Sequence, residues 1–163
     1  MVATVQVVEK NGAGGTATDK TSGTVRFKNA DDATIDNNNP MVIPAAGSDW
    51  SFEKWLRLNI TVAPAVQLTN LKFYMDGANN FGTGINLWAK AVTAYSTPAE
   101  GTSSAGYTNA FSYTSVSALS LGAGPFTGTG EKGDHAVLLM EVASTATQGS
   151  LTAETATFSY DEI

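Results

Sequence analysis

Cysteine is absent from this sequence, and histidine occurs once, at position 135. Without cysteine the chain has no disulfide framework, no thiol nucleophile and no thiolate metal site. A single histidine excludes a metal site built on several imidazoles, and any Ser-His-Asp arrangement would have to use His135. Catalysis by thiols and by imidazole-bound zinc is therefore excluded.

Basic residues are also few, because 9 Lys and Arg stand against 15 Asp and Glu and give a formal net charge of -6. Nucleic-acid binding depends on Lys and Arg that neutralise phosphates, so we expect no nucleic-acid partner. Apolar runs such as 136–140 are far shorter than the ~20 residues that cross a bilayer. The start MVATVQVVEK has neither a cationic n-region nor a long apolar h-region. We expect a protein made in the cytoplasm without a signal peptide and with no membrane partner.

The dominant hydrophobic period is two residues, and no segment carries a convincing amphipathic helix. The clearest predicted strand is SFEKWLRLNITV, in which Phe52, Leu56, Leu58, Ile60 and Val62 alternate with Glu53, Trp55, Arg57, Asn59 and Thr61. Only Lys54 breaks the apolar face, and near the start of a strand its ammonium is expected to extend to water. Weaker alternation predicts strands in TVQVVE, GTVRFK, LKFYMD, INLWAKAVTAY, HAVLLMEVA and LTAETATFSYDEI, with one or two more between Tyr107 and Leu121.

Length and turn chemistry then give the fold class. A chain of 163 residues is expected to form one domain, 1–163, that buries about 70% of its unfolded surface. The connections are rich in Gly, Asn, Asp, Ser, Thr and Pro, which favour turns. We predict an all-β protein, an antiparallel β-sandwich that is jelly-roll-like and has about eight strands.

The stretch GTGEKG, residues 128–133, has the spacing of the dinucleotide-binding pattern G-x-G-x-x-G. That pattern needs a preceding strand and a following helix. Here a loop precedes it and DHAVLLMEVA, a predicted strand, follows. A Walker loop is also excluded, because Gly133 follows Lys132 where a hydroxyl residue is needed. We predict a mobile surface loop whose Glu131 and Lys132 face water.

Other polar residues have both a functional and a structural interpretation. His135 opens a predicted strand near Asp134, and we interpret it as structural rather than as a catalytic base. The carboxylates that could act on a glycosidic bond are Glu53, Glu141 and Glu154, which are more typical of a solvated strand face. DDATIDNNN and MDGANNFGTG could offer oxygens to calcium, although such clusters are ordinary turn chemistry. We predict no enzyme, no catalytic residue, no cofactor and no metal, and calcium stays open for these two loops.

Aromatic residues on polar strand faces are the candidate binding residues. Trp55 shares a face with Arg57, and Trp88 shares one with Asn86 and Lys90. Large aromatics at such positions either cap the core beneath loops or form a contact surface. The predicted partner-binding residues are Trp55, Arg57, Trp88 and Tyr74. The partner would be another protein subunit or a stacked sugar ring.

The segments KTSGTVRFKNADDATID, SDWSFEKWLRL, FYMDGANNFGTGINLWAK and ETATFSYDEI together resemble virion structural proteins of tailed bacteriophages, in particular capsid decoration proteins of the auxiliary or cement type. The resemblance implies a non-enzymatic protein on the capsid surface of the virion. It implies binding to the major capsid protein, bridging of capsid subunits, and self-association, with a trimer as one form. The N-terminal arm MVATVQVV would add a strand to a neighbour's sheet or form the first strand of its own. The alternative function is a carbohydrate-binding β-sandwich module or a tail-associated receptor-binding protein, with a glycan as partner.

Overall fold

Ten β-strands and one short 3-10 helix form in residues 2–163, the part of the chain that the computed structural model describes. In chain order the strands are β1 (Thr4–Asn11), β2 (Thr16–Asp19), β3 (Ser48–Trp50), β4 (Lys54–Val62), β5 (Leu68–Tyr74), β6 (Ile85–Val92), β7 (Thr108–Asn109), β8 (Leu119–Gly122), β9 (Gly130–Ala143) and β10 (Thr157–Glu162), and the 3-10 helix is Ala110–Ser112. The predicted all-β antiparallel sandwich is confirmed, with ten strands rather than about eight.

Two sheets of unequal size form the sandwich. The large sheet has the strand order β2-β1-β4-β9-β6-β7, and β3 pairs with the last residues of β9. The small sheet has the order β10-β5-β8. Strand β9, with 14 residues, pairs with β6 along one side and with β4 and β3 along the other. It is therefore the central strand of the large sheet.

The inner faces of the two sheets meet in one hydrophobic core, as period-two alternation requires. Leu56, Leu58 and Ile60 point inward from β4, and each is at most 2% exposed. Leu71 and Phe73 of β5 belong to the same buried cluster. Full burial of one such side chain contributes about 2 kcal/mol, so these alternating positions stabilise the packing of the two sheets.

Lys54 does not reach water, so the expectation for this residue is wrong. Its side chain is 0% exposed, and its Nζ donates to Glu9 Oε1 at 3.0 Å and to the backbone oxygen of Asp32 at 2.7 Å. Glu9 lies on the inner face of β1 and is also fully buried. The ammonium is neutralised inside the protein because the chain around Asp32 folds over this end of the sheet.

The predicted strand in GTVRFK is also wrong. Val25 and Phe27 pack against the core, which explains the alternation. The segment nevertheless pairs with no strand, and residues 24–27 make no backbone-to-backbone hydrogen bond within residues 2–163. The predicted C-terminal strand is confirmed only over Thr157–Glu162. Residues 147–156 likewise make no backbone-to-backbone hydrogen bond within residues 2–163. Alternation of apolar residues indicates that one face of a segment is buried, but it does not show that a partner strand lies beside it.

GTGEKG is not a mobile surface loop over its whole length, because residues 130–133 belong to β9. The register between β9 and β4 shifts there, between the pairs Leu56–Ala136 and Leu58–Lys132. Gly133 has a φ of 69°, and a Cβ at this position would lie 2.5 Å from the backbone oxygen of Leu121 in β8. Only glycine lets β9 form this bulge and pass so close to the small sheet.

Candidate binding surfaces

The four predicted contact residues do not form one site. Trp55 and Arg57 lie on β4 and Trp88 lies on β6, so all three belong to the large sheet. Tyr74 is the last residue of β5 in the small sheet and follows the fully buried Phe73, so it points away from the core. A ligand stacked on Tyr74 would therefore lie on the opposite side of the sandwich from Trp88.

Trp55 is buried on the outer face of the large sheet by the chain that follows β6. It is 2% exposed and packs edge-to-face against Tyr95 and His135, with ring centroids 5.3 Å away in both cases. Its Nε1 donates to Glu53 Oε2 at 2.9 Å. This geometry corresponds to the core-capping alternative and leaves the indole no free face for a partner.

Arg57 belongs to an ion network on the same face. Its Nη1 lies 3.1 Å from Glu131 Oε2, and its Nε donates to the backbone oxygen of Gly133 at 2.9 Å. Lys10 Nζ lies 2.7 Å from the same carboxylate oxygen. Burial raises the pKa of Glu131, but the hydrogen bonds from Lys10 and Arg57 outweigh this effect and hold the pKa below its ordinary value. Glu131, predicted to face water, instead joins β1, β4 and β9.

A second polar cluster surrounds Glu53. Tyr107 donates its hydroxyl to Glu53 Oε1, and Lys90 Nζ lies 3.3 Å from the same oxygen and 4.0 Å from the centroid of the Tyr107 ring. Burial and then the neighbouring carboxylate raise the pKa of Tyr107 well above its ordinary value. The neutral hydroxyl therefore remains a donor, and both Tyr107 and Lys90 contact Glu53 Oε1.

Trp88 is half-buried and is the more accessible of the two candidate tryptophans. Its Nε1 donates to Glu141 Oε2 at 3.0 Å, and Asn86 Nδ2 donates to the same oxygen at 3.1 Å. Ser48 Oγ donates to Glu141 Oε1 at 2.7 Å. Both oxygens of Glu141 thus accept hydrogen bonds from neighbouring side chains.

Glu154, the third candidate carboxylate, lies in the unpaired segment 147–156 and accepts from the backbone N–H of Asn80.

His135 is a structural residue in this fold. It is 0% exposed, its Nδ1 lies 3.1 Å from the backbone oxygen of Val92, and its Nε2 is buried without a hydrogen-bond partner within residues 2–163. Burial lowers the pKa of His135, so the ring is neutral at pH 7. A substrate in solution has no access to either ring nitrogen.

The Asp-rich loops use their oxygens on the protein itself. Asp32 and Asp36 accept from the buried Lys28 Nζ at 2.7 and 3.1 Å. Asp76 Oδ1 accepts from the backbone N–H of Ala78 at 2.9 Å, as in an Asx turn. Across residues 2–163, no group of three or more His, Asp or Glu side chains is arranged to hold a metal ion.

An open cleft of about 1250 Å³ reaches the inner face of the large sheet beside the small sheet. We call it the core cleft. Its floor consists of apolar core side chains of β4, β6 and β9, each at most 4% exposed, namely Leu56, Leu58, Leu87, Leu138 and Met140. Its walls are two irregular segments, 20–43 and 146–156, and the exposed residues Val42, Ile43 and Leu151 lie along them. Sequence reasoning missed this cleft, because both walls were predicted in part to be strands.

The backbone along the core cleft is unusual for a sandwich. Residues 24–27 on one wall and 147–156 on the other make no hydrogen bond to another backbone group in the described part of the chain. These amide and carbonyl groups are available to an extended polypeptide, as at a sheet edge. The core cleft therefore combines an apolar floor with unpaired backbone on both walls.

Comparison of the chain with protein-family models, with curated proteins and with solved structures finds no significant match. Within residues 2–163 no helix is long and apolar enough to span a membrane.

Proposed function

We propose that this chain is a non-enzymatic virion structural protein, a bacteriophage capsid decoration protein that binds the assembled head and bridges capsid subunits. The observation that carries the proposal is the core cleft with its unpaired walls. Its volume of about 1250 Å³ exceeds the roughly 300–1,000 Å³ of ordinary small-molecule pockets. A segment of polypeptide suits this space better than a small substrate does.

The partner chemistry follows from the walls and the floor. An extended segment of a capsid subunit would pair its backbone with residues 24–27 or 147–156. Alternate apolar side chains of that segment would contact Val42, Ile43 and Leu151, the exposed apolar residues along the walls. This is strand addition, in which main-chain hydrogen bonds supply affinity and side-chain pockets supply specificity.

Stabilisation of the head would then follow from mass action. A protein that binds the joined arrangement of subunits, and not the separated subunits, shifts the equilibrium towards the assembled shell. Repetition over a symmetric shell makes a modest affinity at each site sufficient, especially when the bound protein is itself an oligomer such as a trimer.

The carbohydrate-binding alternative finds less support in the geometry. Trp55 is buried, and Trp88 and Tyr74 lie on opposite sides of the sandwich. Sugar recognition by stacking needs accessible aromatic faces that converge on one ligand. Glycoside hydrolysis has no better basis, because Glu53, Glu141 and Glu154 each accept hydrogen bonds from their own neighbours.

Co-sedimentation with empty phage heads, assembled from a purified major capsid protein, tests the proposal. The wild-type chain is expected to sediment with the heads, and Val42→Asp is expected to weaken binding at least tenfold, because a carboxylate would enter the apolar wall of the core cleft. Val116→Asp is the matched control, since Val116 is 95% exposed and does not line the core cleft. Absence of wild-type binding, or equal losses in both variants, would contradict the proposal.

A further inference from the structure

A buried cluster between β1 and β4 places an amine, an amide and a carboxylate together. Glu9 Oε1 accepts from Lys54 Nζ at 3.0 Å and from Asn11 Nδ2 at 3.3 Å. The two nitrogens are therefore no farther apart than the sum of these distances. Strand register brings them together: the pairing of β1 with β4 ends at Lys10 and Trp55, and Asn11 and Lys54 are the next residues of the two strands.

The surroundings of this cluster favour reaction over hydration. Glu9 and Lys54 are both 0% exposed. A second buried ammonium, Lys20 Nζ, lies 3.7 Å from Glu9 Oε2, so one carboxylate faces two ammonium groups. Burial disfavours charged groups, and a proton passed from Lys54 to Glu9 leaves a neutral amine beside a neutral acid. A neutral lysine amine is a nucleophile.

The polar atoms that lack partners are the second observation. Glu9 Oε2 and Asn11 Oδ1 are buried and have no hydrogen-bond partner within the described residues. Asn11 Nδ2 also donates to Asp31 Oδ1 at 2.8 Å, which fixes the orientation of the amide. The carbonyl of Asn11 is thus an uncharged electrophile in a desolvated site, and its nitrogen is held by two carboxylates.

We propose that Lys54 and Asn11 form an intramolecular isopeptide bond. Lys54 gives a proton to Glu9, and its Nζ attacks Cγ of Asn11. Glu9 Oε1, which contacts both nitrogens, relays protons from Nζ to Nδ2. The bond between Cγ and Nδ2 then breaks. The ammonium of Lys54 and the amide of Asn11 become a secondary amide and one ammonium ion, with no oxidant or cofactor required. Fixed proximity of the reacting groups replaces an external catalyst.

Lys28 is a second buried lysine, but it lies beside carboxylates and not beside a side-chain amide. It is as deeply buried as Lys54, at 1% exposure, but its Nζ is bound by Asp32, Asp36 and the backbone oxygen of Thr34. Hydrogen bonds from Lys28 and Thr34 hold the pKa of Asp32 below its ordinary value, so this carboxylate stays ionised and is a poor electrophile. Lys28 is therefore a matched lysine that is not expected to react.

Intact-mass spectrometry of the folded protein tests the proposal directly. The wild-type mass is expected to be lower than the encoded mass by one ammonia. Trypsin is expected to release peptide 11–20 joined to peptide 29–57, because a modified Lys54 resists cleavage. The full encoded mass in folded protein would overturn the proposal. So would an ammonia loss without this linked pair, since a succinimide at Asn11-Gly12 has the same mass change.

Variants assign the roles of the three side chains. Lys54→Arg removes the nucleophile and Glu9→Gln removes the proton relay while keeping both reacting groups, so both are expected to restore the full mass and the separate peptides. Lys28→Arg is the control and is expected to keep the linked pair. A linked pair in Glu9→Gln would overturn the relay. The wild-type measurement needs no variant, so it remains decisive if a substitution prevents folding.

Discussion

At the scale of single residues, Gly133 combines two separate requirements. Its φ of 69° lies in the left-handed region, and a Cβ would lie 2.5 Å from Leu121 O and 2.8 Å from Leu71 Cδ2. The first requirement penalises any other residue by about 1 kcal/mol. The second forces β9 away from the small sheet, and overpacking of this kind costs about 1–3 kcal/mol more.

Gly133→Ala is therefore expected to lower the free energy of unfolding by about 2–4 kcal/mol, measured by urea denaturation. Gly128→Ala is the matched control, because Gly128 also has a φ of 69° but a Cβ there meets nothing within 4 Å. Its expected loss is about 1 kcal/mol. Equal losses in the two variants would show that the contact between the sheets contributes nothing.

His135 gives the protein a specific pH dependence. Its pKa is lowered by burial, and the nearby positive charges of Arg57 and Lys10 act in the same direction, against Glu131 and the Val92 carbonyl. The unfolded chain therefore takes up a proton at a higher pH than the folded chain does. Stability from the neutral ring is complete above the ordinary pKa of 6.5 and is lost as the pH falls below that value towards the folded pKa.

The free energy of unfolding is expected to fall between pH 7 and pH 5.5, with a slope of at most about 1.4 kcal/mol per pH unit for one proton. His135→Phe is expected to remove this slope, because the sequence has no other histidine. Denaturant titrations of both proteins across this interval provide the measurement. An unchanged slope in the variant would assign the effect to other groups.

At the scale of elements, the sequence predicts strands well where burial and pairing coincide. Alternation located β4 because Leu56, Leu58 and Ile60 are buried and the backbone pairs on both sides. The same alternation in Gly23–Lys28 predicts a strand that does not form, because Val25 and Phe27 are packed but residues 24–27 make no backbone-to-backbone hydrogen bond within residues 2–163. Pairing depends on distant segments, and a local pattern does not contain that information.

The partners of buried polar residues are even harder to predict from a local pattern than the partners of strands. Lys54 interrupts the apolar face of β4, and this interruption was the one local signal of the buried cluster. Its partner Glu9 lies 45 positions earlier, and Asn11 is brought beside it only by the register of β1 against β4. Trp55 was identified as a candidate contact, but the sequence does not reveal that the chain around Tyr95 covers it.

The loop between Lys28 and Asn39 depends on one buried cation. Lys28 Nζ binds Asp32, Thr34 O and Asp36. Burial lowers the pKa of Lys28, but the hydrogen bonds to Asp32 and Asp36 outweigh this effect and raise the pKa above its ordinary value. Lys28→Met is expected to lower the free energy of unfolding by about 1–3 kcal/mol, a buried-pair penalty reduced because the two carboxylates are partly exposed. Urea denaturation provides the measurement.

Arg26→Met is the control for the loss of a positive charge near this loop. Arg26 makes one exposed hydrogen bond, from Nη2 to Asn37 Oδ1 at 2.7 Å, and its removal is expected to cost about 0.5 kcal/mol or less. Limited proteolysis should cut within 29–39 faster in Lys28→Met than in Arg26→Met. Similar stability and similar cutting would contradict a clamping role for Lys28.

At the scale of the whole molecule, the two sheets differ in how completely they cover each other. The small sheet covers part of the large one, and the irregular segments 20–43 and 146–156 border the rest. Composition and alternation predicted the sandwich but not this asymmetry, because covering and pairing segments have the same apolar content. The asymmetry has a measurable consequence, since an amide without a hydrogen bond exchanges its proton quickly even where its side chain is packed.

In hydrogen exchange followed by mass spectrometry, the exchange rate of each amide is therefore expected to depend on its backbone hydrogen bond rather than on the exposure of its residue. Amides of β2 that bond to β1 should exchange slowly although all four β2 residues are exposed, whereas residues 147–156 should exchange fast. If the core cleft receives a strand of a capsid subunit, addition of empty heads should slow exchange in 147–156 or 24–27 and leave β2 unchanged. Protection that appears in β2 instead would move the interface to the free edge of the large sheet, because strand addition protects only the backbone it pairs with.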